Sequence, residues 1–141
     1  MGVAFARRPV GLDVERTRPR DDLDGIARLA LDPAEAEILA GLPERSRPAA
    51  FTRYWARKEA VLKATGEGLR TPPAQVAVSA PDDAPRLLAH AGRPGLAAAV
   101  TLRDLDPDTG HAAALAVIGP PDGPPPTVVM RERDGAALLS A

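Results

Sequence analysis

The chain has no cysteine, which excludes a disulfide framework, a thiol nucleophile and a cysteine-based zinc site. It has no surplus of either charge. A formal net charge of -1 predicts no electrostatic grip on nucleic acid or on an anionic membrane. No apolar run approaches the roughly 18 residues that a bilayer-spanning helix needs. The start, MGVAFARRPVG, is too quickly interrupted for a secretory signal, and Ala6 breaks the myristoylation pattern. The expected compartment is the cytoplasm. Aromatic residues are scarce, at 3%, and alanine, arginine, glycine and proline fill their place. Propensity is therefore a weak guide, because alanine occupies helices and strands alike.

What is present fits one small folded unit. A length of 141 residues allows one domain with one core, and 45% hydrophobic content is that of a globular protein. Val3 to Ala6 and Val10 to Val14 read as short strands around Arg7, Arg8 and Pro9. Ile26, Leu29 and Ala30 define a short helix over Asp24 to Leu31, capped by Asp22 or Asp24. Asp32-Pro33, with Glu35 in the first turn, starts a second helix that stops at Gly41. A third helix ends at Thr65, and Pro48 sets its continuous part to begin near Ala49. Gln75 to Ser79 and Arg86 to His90 read as strands. Ala97 to Leu105 and His111 to Ile118 form a hairpin around the turn residues Asp106 to Gly110. Residues 119–141 open with GPPDGPPP and read as a flexible tail, with a further short strand at Thr127 to Met130. A strand region, two or three helices and then three or four strands make an α+β domain, residues 1–118, with an antiparallel sheet packed on helices.

The third helix raises a question of charge. With Phe51 at zero and about 100° per residue, Tyr54, Trp55, Val61, Leu62 and Thr65 fall within roughly 80° of it, defining the buried face. Lys58 falls near the middle of that face, while Glu59 and Lys63 lie on its border. A plain reading is available: Lys58 snorkels to water, and Glu59 with Lys63 is a surface pair worth roughly 0.3 to 0.5 kcal/mol. The second clue is GLDVE at residues 11–15. On a strand Asp13 and Glu15 point to one face. Two carboxylates there, about 7 Å apart, repel unless a cation lies between them. Hard oxygen ligands of this kind suit Mg²⁺, whose coordination is usually completed by water and substrate phosphates.

GLDVE and WARKEAVLKATGEGL, taken together, resemble the 4'-phosphopantetheinyl transferase superfamily. Its pattern is a G-[IV]-D-[IV]-E strand followed some forty residues later by a W/F-x-x-K-E-x-x-x-K-x-x-G-x-G-L helix and turn. Glu15 and Trp55 stand forty positions apart here. The likeness extends more loosely to GHAAALAV, covering about residues 3–118. It implies transfer of the 4'-phosphopantetheine arm of coenzyme A to a serine of an acyl- or peptidyl-carrier protein, with 3',5'-ADP leaving. On that resemblance Asp13, Glu15 and Glu59 hold Mg²⁺, or Mn²⁺ in its place. Glu59 and Lys63 are catalytic, with Glu59 positioning a water that takes the serine proton. Lys58 and Lys63 contact the phosphates. Gly66 and Gly68 let the backbone turn close to the nucleotide.

The resemblance is divided. The length is that of the short holo-acyl-carrier-protein synthase type, a subunit that usually assembles as a trimer. Trp55 and the DVE form resemble instead the second half of the long surfactin-synthetase-activating type, whose first half supplies a Ser-His motif and basic residues for the nucleotide. No such motif precedes GLDVE. The expected protein is therefore a homo-oligomer, a chain that needs a partner subunit, or an inactive relic. Arginines such as Arg16, Arg18, Arg45 and Arg53 are candidate cations across an interface. His90 and His111 read as ordinary strand-end residues. Two other readings stay open: a half-domain that only binds carrier protein or coenzyme A, and a Mg²⁺-dependent pyrophosphate hydrolase.

Overall fold

The computed structural model describes residues 2–131 and 133. The elements in chain order are β1 (Val10–Arg16), α1 (Leu23–Ala30), α2 (Pro33–Gly41), α3 (Arg47–Thr65), β2 (Val76–Val78), β3 (Leu87–His90), α4 (Leu96–Ala99), β4 (Val100–Leu105) and β5 (His111–Ile118). The α+β class holds. The strands make two sheets rather than one: a three-stranded antiparallel sheet in the order β1-β5-β4, and a separate hairpin, β2-β3.

Local chemistry explains most boundaries. Asp22 caps α1 by accepting from the Gly25 N–H. Asp32 and Glu35 form a reciprocal capping box on α2, satisfying two backbone donors at once. Pro48 lies inside the first turn of α3, where its missing N–H would have had no partner. It therefore opens that helix instead of delaying it to Ala49. Gly66 closes α3 in the left-handed region, at φ 73°, which costs glycine little.

Three expected elements differ. Val3 to Ala6 has no strand partner and is irregular, and Val3 and Phe5 stand exposed. The residues expected to begin the β4 strand form instead the short α4, after a left-handed Gly95. No strand forms at residues 127–130. The chain beyond β5 is tied at first to the end of α4, where the Gly119 N–H donates to Ala99 O (2.7 Å), and to β4, where the Thr101 hydroxyl donates to Pro126 O. The rest of the expected tail, residue 132 and residues 134–141, lies outside the described residues.

The core sits where α3 crosses β1 and β5. Phe51, Tyr54, Val61 and Leu62 meet Ala114, Ala116 and Leu102 there, with Val76 and Val78 of the small hairpin closing the other side. Gly11 sets how close β1 comes. A Cβ on it would lie 2.0 Å from Ala60 O and 2.5 Å from Ala64 N, so the strand touches the helix backbone itself. Alanines at 60 and 64 complete that contact, and Asp13 is thereby brought against α3.

Candidate active site

Two residues after the Gly11 contact, Asp13 is buried, with 5% of its surface exposed. The Lys63 ammonium reaches across from α3, donating to Asp13 Oδ1 (2.6 Å) and Leu12 O (3.1 Å). Asp13 Oδ2 has no hydrogen-bond partner. A buried carboxylate oxygen left alone is costly, and such groups ordinarily meet a donor or a cation. Glu59 lies one helical turn before Lys63. Burial first, and then the charge of Asp13, push the Glu59 carboxyl above its ordinary value; Lys63 opposes the shift and Glu15 adds to it. Asp13, Glu15, Glu59 and Lys63 thus share one electrostatic neighbourhood. A hollow of about 490 Å³ opens beside it, lined by Asp13, Glu15, Arg16, Arg18, Lys63 and His111 among others.

These carboxylates are neighbours and not a finished cage. Among the described residues, no three His, Cys, Asp or Glu side chains are gathered closely enough to hold a metal ion. The donor chemistry still suits a hard divalent cation, because the set is all oxygen and one buried oxygen is unpartnered.

Lys58, expected at the phosphates, stands elsewhere. It is fully buried. Its ammonium meets Glu35 Oε2 (2.6 Å), Val76 O (2.6 Å) and Pro73 O (3.0 Å), so all three donors are engaged. It does not snorkel either. Glu35 in turn accepts from the Asp32 and Val78 N–H groups. Burial pushes Glu35 up and Lys58 down, while their mutual attraction opposes both shifts. The pair joins α2, α3 and β2.

The turn after α3 holds the two glycines. Gly66 and Gly68 are both left-handed (φ 73° and 54°), and no atom lies within 4 Å of where a Cβ would be. Their glycine identity serves the turn itself.

Sequence reasoning missed several polar contacts. Arg57, fully buried, grips Asp104 with two nitrogens (2.9 and 2.6 Å) and donates to carbonyls of Ser79, Ala80, Pro81 and Asp83. His90 is buried rather than a bare strand end, and meets Glu67 at 2.8 Å. The available signals were Glu35 at the N3 position of a capping box and Lys58 inside the apolar face of α3; Arg57 falls about 120° from Phe51, outside that face, and gave no signal.

Solved structures share this arrangement of strands and helices. The Thermotoga maritima holo-[acyl-carrier-protein] synthase superposes with a TM-score of 0.63 at 24% identity, over 79% of this chain and 62% of that one. A coenzyme A complex of the Chronobacterium ammoniagenes synthase gives 0.54 at 19%, over 81% and 98%. The fold is therefore that of the holo-acyl-carrier-protein synthases. The family model of the 4'-phosphopantetheinyl transferase superfamily matches residues 9–116, and the chain belongs to that superfamily. The 4'-phosphopantetheinyl transferase HetI of Nostoc sp. is 37% identical over 113 residues, 79% of this chain and 44% of that protein. AcpT of Salmonella typhi is 47% identical over 58 residues, 40% of this chain and 30% of that protein. The chain thus spans less than half the length of these curated relatives. Among the described residues no helix is long and apolar enough to cross a membrane.

Proposed function

We propose that this chain transfers 4'-phosphopantetheine from coenzyme A to a serine of an acyl- or peptidyl-carrier protein, with residues 1–118 as the transferase domain. The observation that carries the reading is the buried, half-satisfied Asp13 carboxylate, paired on one oxygen with Lys63 and open on the other, beside a Glu59 carboxyl raised by burial and by Asp13. Asp13, Glu15 and Glu59 would hold Mg²⁺ or Mn²⁺, which when bound neutralises charge on the pyrophosphate oxygens. Lys63, half exposed, gives the phosphates a point charge. The serine oxygen bonds to the β-phosphorus as the bond from that phosphorus to the bridging oxygen breaks, and 3',5'-ADP departs with that electron pair. Glu59 takes the serine proton through a positioned water, and its raised proton affinity suits that task.

A hollow open on one side binds only part of a ligand as large as coenzyme A, since ligand sites are concave. The second wall comes from another copy or a partner subunit, with the exposed Val3 and Phe5 as candidate contacts. A second reading has its own support: the Lys63–Asp13 pair already compensates one oxygen, and among the described residues no three carboxylates are gathered closely enough to hold a metal ion. That combination favours a half-domain that only binds carrier protein or coenzyme A. Incubating the chain with apo-carrier protein, coenzyme A and Mg²⁺ separates the two. A carrier serine heavier by the phosphopantetheine group supports transfer. A carrier of unchanged mass, with coenzyme A bound in calorimetry, supports the binding module.

A further inference from the structure

We infer that Glu67 is a positioning residue whose carboxylate latches the Gly66–Gly68 turn to the small β2-β3 sheet, and so steadies the end of α3 that carries Glu59 and Lys63. The turn has little else to hold it. Leu69 is 97% exposed, and no atom lies near the Cβ positions of the two glycines. Its backbone bonds stay within the segment: Gly66 N–H to Lys63 O and Glu67 N–H to Leu62 O, both 3.2 Å, and Arg70 N–H to Glu67 O, 3.1 Å. Glu67 supplies the outside tie. Its Oε2 accepts from His90 Nε2 (2.8 Å) and its Oε1 from Arg93 Nε (2.7 Å). The Thr71 hydroxyl adds a bond of 3.2 Å to Oε2, and the Thr65 hydroxyl shares its one proton between Leu62 O (3.0 Å) and Oε2 (3.2 Å).

The tautomer of His90 follows from its other side. The Gly92 N–H donates to His90 Nδ1 (3.2 Å), so Nδ1 acts as acceptor and Nε2 carries the proton given to Glu67. His90 pairs with Val76 across β2 and β3, and Val76 O accepts from Lys58. The C-terminal half of α3 is therefore braced twice to one small sheet, at Lys58 and just beyond Thr65. Glu59 and Lys63, the residues that face β1, lie between the braces. Burial pushes the Glu67 carboxyl up, but the hydrogen bonds from His90 and Arg93 outweigh it and hold it below the usual carboxylate range.

The kinetic consequence rests on the transfer reading above, so the test has two arms on the full chain. Amide hydrogen exchange is compared for the wild type, Glu67→Gln and Glu67→Met. The Gln variant keeps an oxygen acceptor for His90, and the Met variant keeps only the shape. Expected is faster exchange at residues 66–70 in Glu67→Met, with β1 and β5 unchanged, and partial recovery in Glu67→Gln. With coenzyme A as the varied substrate, Glu67→Met raises KM roughly 10-fold and leaves kcat nearly unchanged, the pattern of weakened phosphate binding by a loosened Lys63. Wild-type exchange at residues 66–70 in Glu67→Met overturns the latch. Faster exchange with unchanged KM overturns the positioning role. Should Glu67→Met lose protection throughout, Glu67→Gln decides: wild-type exchange and KM support the hydrogen-bonded latch, and loss equal to that of Met overturns it. A wild-type chain that transfers nothing overturns the transfer reading, while the exchange arm still decides the latch.

Discussion

Two faces of one helix carry charge in this protein, and they differ in how completely that charge is answered. Toward the small sheet, Lys58 and Arg57 are fully buried, and each donor meets an oxygen of Glu35, Asp104 or a backbone carbonyl. Toward β1, Lys63 is half exposed, Asp13 keeps one oxygen without a partner, and Glu59 holds its proton more tightly than usual. On the first face both cations are fully paired and do structural duty, although the buried Tyr54 hydroxyl near them has no partner. The second is left unsatisfied beside an open hollow, the condition that the proposed transfer site requires. The two lysines of one motif, five residues apart in sequence, thus have opposite surroundings.

The comparison breaks most sharply at Glu59. Glu59→Gln is expected to lower carrier-protein transfer by ~10²–10⁴-fold without unfolding. The folded state raises the pKa of Glu59. Its stabilising share is therefore full below the unfolded value and lost as pH rises through the folded value. Melting curves across roughly pH 4 to 8 should show the variant gaining on the wild type toward the alkaline end. A large loss of stability at neutral pH would make Glu59 structural like Lys58.

Lys58→Met tests the other face. It leaves Glu35 buried without its cation, and the expected cost is about 3–5 kcal/mol in denaturant unfolding. Adding Glu35→Gln should restore part of it. Were Lys58 a phosphate contact, Lys58→Met would keep its stability and lose transfer.

Gly11→Ala tests what brings the unsatisfied face together. The added methyl meets Ala60 O and Ala64 N, so β1 must withdraw from α3 at a cost of about 1–3 kcal/mol. Asp13 moves away from Lys63 with it, and transfer falls beyond what the stability change explains. Chemical denaturation together with the specific activity of the folded fraction measures both effects.

The smallest effect concerns acid. Because Glu67 has a lowered folded pKa, its stabilisation is present above the ordinary carboxylate value and lost as pH falls through the lowered one. Glu67→Gln should flatten the acid limb of the melting temperature against pH, leaving the two proteins closest at the lowest pH.

Much of this was legible in the chain itself. The capping residues Asp22 and Asp32, the stop at Gly66 and the hairpin around Asp106 to Gly110 are local hydrogen-bond and dihedral chemistry, and they form where the sequence places them. The spacing of GLDVE and WARKEAVLK carried the family, later matched over residues 9–116. Sequence periodicity also put Lys58 inside a buried face. It could not say what would meet it there, because a helical wheel fixes a side chain's angle about its own axis and not the acceptors of other elements. Those acceptors come from Glu35 on α2 and from the carbonyls of Pro73 and Val76. In the same way Glu67 found His90 and Arg93 only because β3 returns beside the end of α3. Val3 to Ala6 had strand-forming residues but no partner edge in the folded chain, and a strand is defined by its pairing. The sequence alone determined the local elements and the charged groups; tertiary structure decided which charges were neutralised, because burial and hydrogen-bond partners are properties of neighbours far along the chain.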